Sequence, residues 1–222
     1  MKLLGMFAKY WEPGQVKTRL AAALDEQRAA RVYRLFVKTL IHRLAEIGDR
    51  RVLAFTPADR EHDFRQVQST WHLQHQLNPG NLGDRMQHFF ETALRDGFHR
   101  VVLIGSDSPD LPIDVLERAF EQLHNHDVVL GPSLDGGYYL IGAAGHVPQV
   151  FDGMPWSSPD LWKTTVARLT EQGSHFAVLP TWYDVDTLTD LTLLSNKLAR
   201  RIGDPWLEDL RALVDSLLHD NA

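Results

Sequence analysis

Two stretches of this chain put carboxylates and bare backbone where apolar runs end. Val101-Val102-Leu103-Ile104 breaks into Gly105-Ser106-Asp107-Ser108-Pro109-Asp110, and Val128-Val129-Leu130 breaks into Gly131-Pro132-Ser133-Leu134-Asp135-Gly136-Gly137. Apolar, β-branched runs closed by glycine, proline and aspartate read as buried strands feeding loops. In an open α/β sheet, ligands sit beyond the carboxyl ends of the strands. A strand ending in Asp107 therefore suits a metal ion that holds phosphates. Lys9, Lys17 and Arg19 follow the first apolar run. Such cations offset the charge that builds on a transferred phosphoryl group, arginine as a planar fork and lysine as a mobile point charge. The glycine spacing matches neither a Walker loop nor a dinucleotide fingerprint. Each feature also has a plainer reading: a solvated loop for the cations, a turn at Asp107, a helix cap at Asp110, a helix N-terminus at Asp186, and a hairpin turn at Asp135-Gly136-Gly137. Trp156 fits a core, an interface or a pocket wall.

The elements that must position these residues alternate along the chain. Strands are expected at 3–8, 51–56, 71–77 (weaker), from 101, at 127–130, 137–143 and 175–179. Helices are expected at 25–47, 57–68, 82–95, 112–123 with proline in the first turn, 160–171, 188–200 and 206–218. In the long helix Ala29, Val32, Tyr33, Phe36, Leu40 and Leu44 form one apolar stripe. Alternating strands and helices point to an α/β fold, a mostly parallel sheet with helices on both faces. No repeat or long linker divides the chain, so residues 1–222 read as one domain, with 203–222 as a C-terminal helical extension.

Composition sets the bounds. The 222 residues, 44% hydrophobic and 23% charged, are ordinary for a globular protein with a sizeable core. A net charge of −6 argues against a general nucleic-acid binder. The absence of cysteine excludes disulfides, thiolate zinc sites and cysteine nucleophiles, and permits a cytoplasmic location. The N-terminal apolar run is too short for a signal peptide, and no run approaches the roughly 20 residues of a membrane span. The eleven histidines show no shared metal spacing. Nothing in the sequence sets the oligomeric state.

Taken in order, several motifs resemble one family. Phe7-Ala8-Lys9 through Lys17-Thr18-Arg19-Leu20 is similar to the opening of bacterial glycosyltransferase-like proteins in the nucleotide-diphospho-sugar transferase superfamily. The resemblance continues through Gly80, Leu82-Gly83, Arg85-Met86, Gly105 to Leu111, Gly131-Pro132, Asp135 to Gly142, Pro155-Trp156-Ser157 and Asp184-Val185-Asp186-Thr187, and fades after Leu191. A looser similarity, through Val16-Lys17-Thr18-Arg19-Leu20, extends to phospholactate guanylyltransferases and molybdenum cofactor nucleotidyltransferases. The resemblance implies the GT-A fold, a three-layer α/β/α sandwich. It also implies nucleotide binding by Phe7, Ala8, Lys9, Lys17, Arg19, Gly83 and Arg85, with Lys17, Arg19 and Asp107 catalytic. Asp107 and Asp186 would hold Mg2+ or Mn2+, with Asp184 as a rival to Asp186. Asp135, Gly136, Gly137, Tyr138 and Trp156 would line the acceptor side. Where relatives carry Gly-Asp-Leu-Gly this chain has Gly80-Asn81-Leu82-Gly83, and Tyr10-Trp11-Glu12-Pro13 replaces a more proline-rich loop.

Three functions follow from these residues and this resemblance. A slight preference goes to magnesium-dependent nucleotidyl transfer from a nucleoside triphosphate to a phosphorylated small molecule, because pyrophosphate needs cations at the first loop. Glycosyl transfer from a nucleotide-sugar to a small-molecule acceptor also fits. The third is a catalytically inactive nucleotide-binding member, in view of Asn81.

Overall fold

The computed structural model describes residues 1–67, 70–201 and 203–219. Gln68, at the end of the expected 57–68 helix, and residues 220–222 of the expected C-terminal extension lie outside them. The chain runs β1 (Lys2–Lys9), α1 (Thr18–Leu24), α2 (Glu26–Arg43), β2 (Arg50–Thr56), a 3-10 turn (Ala58–Arg60), α3 (Glu61–Val67), β3 (His72–His75), α4 (Leu82–Arg95) and β4 (Arg100–Ile104). It continues through α5 (Ile113–Gln122), β5 (Val128–Pro132), β6 (Tyr138–Ala144), α6 (Leu161–Glu171), β7 (Phe176–Val178), α7 (Leu188–Leu198) and α8 (Pro205–His219).

The strands form one seven-stranded sheet in the order β3-β2-β1-β4-β6-β5-β7. All pairings are parallel except those of β6, which runs antiparallel to both β4 and β5. Alternate residues of each central strand face opposite layers, as the period of two requires. Leu4, Met6, Ala8, Val102 and Ile104 pack with α2, α5, α7 and α8 through residues such as Phe36, Leu116, Leu194 and Leu210. Leu3, Val101, Leu103 and Ile141 face the other way, onto Met86, Phe89 and Phe90 of α4 and Leu169 of α6. Helices thus cover both faces, as near-continuous apolar parallel strands demand, giving the expected three-layer α/β sandwich.

Several boundaries differ from the sequence expectation for identifiable reasons. The apolar stripe of α2 runs on through buried Leu44 and Ile47, but the helix closes at Leu44 and the chain reverses through Gly48 at φ 72°. Burial continued where helical hydrogen bonding stopped. Pro112 has an extended ψ of 138°, so it stands at the N-cap of α5 rather than within its first turn. Asp110 does not cap that helix. It is buried and accepts a hydrogen bond from the Tyr183 hydroxyl at 2.8 Å. The expected 57–68 helix divides into the 3-10 turn and α3.

Two connections position the site. The β5–β6 hairpin turns at Ser133–Gly137 and feeds β6 back antiparallel, with Leu140 opposite Ile104. The start of β6 therefore lies at the same edge of the sheet as the carboxyl end of β4. After β7, the chain follows the β5 side, where the Leu134 and Trp182 amides donate to the Trp182 and Pro132 carbonyls. The Val185 amide then donates to the Asp107 carbonyl at 2.9 Å. This last bond brings residues 184–186 to the end of β4.

Candidate active site

Lys17 is the centre of the arrangement. It precedes α1 with φ 47° and ψ 43°, left-handed values that are uncommon for a residue with a side chain. Its carbonyl still accepts from the Ala21 amide at 2.8 Å. The ammonium reaches inward between two carboxylates, pairing with Asp107 Oδ1 and, at 2.8 Å, with Asp186 Oδ1. The rings of Tyr33 and Phe36 on α2 flank it at 5.8 and 5.7 Å, a favourable place for a cation. The Lys17 side chain is 3% exposed, whereas those of Asp107 and Asp186 are 45% and 38% exposed. Burial alone would lower the lysine's pKa. The two carboxylates more than reverse this and hold it above the ordinary lysine value, so the ammonium remains charged.

The neighbouring groups fix this cluster from below. The Tyr33 hydroxyl shares a 2.7 Å hydrogen bond with Ser106 Oγ and accepts from the Lys9 amide at 3.0 Å. Burial, aided by the charge of Asp107, pushes its pKa up to about 12, so it stays a neutral phenol. Asp184 accepts from Ser108 Oγ and Ser133 Oγ, both at 2.7 Å. Its burial raises its pKa, and the two serine hydroxyls oppose that rise. Asp184 thereby ties the loop after β4 to the end of β5, while Asp186 shares Lys17 with Asp107. The Asp186 backbone is set by the start of α7, where its amide donates to Asp190 Oδ2 at 3.1 Å beside the Thr187–Asp190 capping box.

A cleft of about 810 Å³ opens over the carboxyl ends of β1 and β4. Of the residues singled out from the sequence, Phe7, Ala8, Lys9, Arg19, Arg85, Asp107, Asp135, Gly137, Tyr138 and Trp156 line it, as does Asp184. Lys17 and Asp186 are not in its wall; they stand behind Asp107 and beside Arg19. The Arg19 guanidinium is 70% exposed and 4.0 Å from Asp186 Oδ2. The Lys9 ammonium donates to the Gln15 carbonyl of its own loop at 2.8 Å. Two glycines act by close packing instead of lining. A Cβ on Gly83 would lie 2.4 Å from the Phe151 carbonyl oxygen and 2.8 Å from the Trp156 ring, and one on Gly136, at φ 90°, would lie 2.4 Å from the Pro159 carbonyl oxygen. Trp156 can lie over the start of α4 because residue 83 has no side chain. Asp135 Oδ1 accepts from the Gly137 amide at 3.0 Å, so this segment is both the hairpin turn and part of the cleft wall.

Gln76 and Tyr33 line the cleft without having been singled out for it. The Gln76 amide donates to the Ala54 and Ala8 carbonyls at 2.8 and 3.2 Å and bridges the ends of β2 and β1. Its partners are backbone atoms of other strands, so no local pattern betrays it. Tyr33 shows in the sequence only as a member of the apolar stripe of α2. Asn81 caps α4: its side chain accepts from the Asp84 amide at 3.1 Å, and Asp84 Oδ2 accepts from the Asn81 amide at 2.8 Å. An amide oxygen performs here what a carboxylate would.

The site's chemistry suits a hard dication. Two carboxylates against one buried ammonium leave a net negative charge, and both carboxylates present exposed hard oxygen donors. The described residues contain no cluster of three or more His, Cys, Asp or Glu fit to hold a metal. Protein ligands would thus number about two, the pattern of Mg2+ sites completed by water and substrate phosphates.

The sequence matches the model of a family described as uncharacterized protein conserved in bacteria (DUF2064) over residues 39–158. A protein of Desulfovibrio desulfuricans G20, assigned by inference to the nucleotide-diphospho-sugar transferases, superimposes with a TM-score of 0.86 at 34% identity, covering 97% of each chain. A nucleotidyl transferase from Methanothermobacter thermautotroptrophicus shares the fold at 13% identity and a TM-score of 0.59, over 90% of this chain and 98% of its own. So does a CMP:2-keto-3-deoxy-manno-octonic acid synthetase complexed with CTP, at 12% identity and a TM-score of 0.55, with the same coverage. No curated protein matches the sequence. No helix among the described residues is long and apolar enough to cross a membrane. By the family match and the 34% identity over nearly its whole length, this chain belongs to the bacterial DUF2064 family, with the fold of the nucleotide-diphospho-sugar transferases.

Proposed function

We propose that this protein is a divalent-cation-dependent transferase acting on an activated nucleotide, and that its reaction is nucleotidyl transfer from a nucleoside triphosphate to a phosphorylated small molecule. The observation that carries this reading is the convergence of Asp186 and Lys17 on Asp107, which lines a cleft at the strand ends. Asp107 and Asp186 are the residues that would hold Mg2+ or Mn2+, which when bound neutralises phosphate charge and aligns attacking and leaving oxygens. Lys17 acts through those carboxylates: its buried ammonium holds both side chains at one point and limits their mutual repulsion. Arg19, exposed at the rim, offers its guanidinium to the distal phosphates, and Arg85 lies across the cleft. A phosphate oxygen of the acceptor attacks the α-phosphorus, the bond to the bridging oxygen breaks, and pyrophosphate leaves. No protein nucleophile is needed, so catalysis rests on positioning and electrostatics. On this reading the protein works in the cytoplasm, where nucleoside triphosphates are supplied.

Glycosyl transfer from a nucleotide-sugar is the second reading. Tyr138 and Trp156 in the cleft wall favour it, since flat rings beside the Asp135–Gly137 turn suit a sugar. The inactive alternative rested on Asn81, which caps α4 as an aspartate would. The deciding experiment incubates the protein with Mg2+, nucleoside triphosphates or nucleotide-sugars, and a set of phosphorylated and hydroxylated acceptors. Pyrophosphate release with one triphosphate, lost in Asp107→Asn, is expected. Release of a nucleoside diphosphate from a nucleotide-sugar replaces the first reading with the second. If no nucleotide is bound or consumed, both fail.

A further inference from the structure

Helix α2 carries Lys17's aromatic neighbours on one face and a line of cations on another. Arg31, Arg34 and Lys38 recur at spacings of three and four and, with His42 a further turn on, border a second cavity of about 490 Å³, separate from the cleft. Its walls also include Leu35 of α2, Val67 of α3 and Leu213 of α8. Like charges at such spacings weaken a helix, and this protein is acidic overall, so the stripe is no by-product of composition.

Four other helical arginines in this chain have a carboxylate close by in sequence: Arg65 with Glu61, Arg118 with Asp114, Arg211 with Asp215 and Arg28 with Asp25. Among the described residues, Arg31, Arg34 and Lys38 pair with none. Aromatic faces hold two of them in place instead. The Arg34 guanidinium stands 5.3 Å from the Trp11 ring and the Lys38 ammonium 5.4 Å from the Trp206 ring. Trp206 also stacks on His42, with centroids 3.7 Å apart and planes 4° from parallel. The pKa of His42 is lowered first by burial and then by Lys38.

We propose that this groove between α2, α3 and α8 is a second binding site, for a phosphorylated small molecule whose phosphate meets Arg31, Arg34 and Lys38 and whose apolar body lies on Leu35, Val67 and Leu213. The cavity falls in the size range of small-ligand sites. The convergence of planar guanidiniums and an ammonium favours a doubly charged phosphate, which takes two parallel hydrogen bonds from each arginine. The apolar floor favours a phosphate ester over the free ion.

The test is calorimetric titration of the full chain, free of Mg2+ and at constant ionic strength set with chloride. Inorganic phosphate and phenyl phosphate serve as probes. In Arg19→Gln, which weakens anion binding in the cleft, phenyl phosphate should still bind, and more tightly than inorganic phosphate. In Arg34→Gln/Lys38→Gln that binding should weaken by about tenfold or more, while the melting temperature holds or rises because like charges have been removed. Equal binding of phenyl phosphate by the parent and the double variant would overturn the proposal. So would binding that anionic phospholipid vesicles show and phenyl phosphate does not, which would make the face a membrane patch.

Discussion

At the scale of the residue, Lys17 explains how two aspartates far apart in sequence share one point. Its left-handed backbone turns the side chain under the first loop, and its ammonium lies between Asp107 and Asp186. Removing a partner from a buried pair costs more than the pair's net worth, because it strands the remaining charge. Here the carboxylates are partly exposed, so water screens some of that penalty. Lys17→Met should therefore destabilise the protein by about 1–3 kcal/mol. Lys17→Met combined with Asp107→Asn should cost less than the sum of the single changes by about 0.5–3 kcal/mol, the range for residues in contact. Urea unfolding of the four proteins measures this coupling; strict additivity would show that Lys17 does not organise the carboxylates. The sequence displayed both partners: Asp107 stands at an unmistakable strand end and Lys17 in a cationic loop. It could not display their pairing. Contacts across 90 and 169 positions, and a left-handed lysine, are properties of the assembled sheet. The same holds for Asp184, legible as a rival to Asp186 but separable from it only once Ser108 and Ser133 were seen to take its two oxygens.

At the scale of the element, α4 brings one wall of the cleft to the sheet. Its start joins three devices: the Asn81–Asp84 capping box, the close approach of Trp156 over Gly83, and Arg85, whose Nε donates to the Gly80 carbonyl at 3.2 Å. Asn81→Ala should lower stability by about 0.5–2 kcal/mol, the usual loss for an N-cap side chain. Asn81→Asp should keep the cap and gain a few tenths of a kcal/mol to about 1 kcal/mol from the helix dipole. Thermal unfolding of the three proteins distinguishes this from a direct role in binding. If Asn81→Ala is as stable as the parent, the cap is not what the residue supplies. The bounds of α4 were legible from its amphipathic spacing, whereas the short helix α1, Thr18–Leu24, in the stretch after the first strand was not. Nor was strand direction. An apolar run such as Tyr138–Ala144 looks alike in either orientation, and only the tight Asp135–Gly137 turn hinted that β6 returns antiparallel. That reversal puts Tyr138 in the cleft.

At the scale of the whole molecule, α8 closes one face of the sandwich by burying Leu207, Leu210, Val214 and Leu217 in the core shared with α2. The motifs legible in the sequence end before α8, so its seat was not legible from them, although the Desulfovibrio desulfuricans relative aligns over 97% of the chain. Its first turn instead meets α2 through the Trp206–His42 stack, and Arg43 binds Asp204 just ahead of it at 2.8 Å. Because burial and Lys38 lower the pKa of His42 in the folded state, the fold prefers the neutral imidazole. The unfolded chain, with an ordinary value near 6.5, then binds protons more readily than the native one. This contribution is fully present above about pH 6.5 and is lost as pH falls through the lower folded value. Carboxylates titrate over part of the same range, so the comparison must be with a variant. His42→Phe keeps a flat ring on Trp206 and has no proton to gain. Between pH 7.5 and 5.5, in a buffer without phosphate, the parent's melting temperature should fall further than that of His42→Phe. Inorganic phosphate should narrow the gap if it neutralises the cations of the α2 groove, since the field that disfavours protonation of His42 would then be weaker. Identical pH slopes for the two proteins would mean that the docking of α8 does not depend on this histidine's charge.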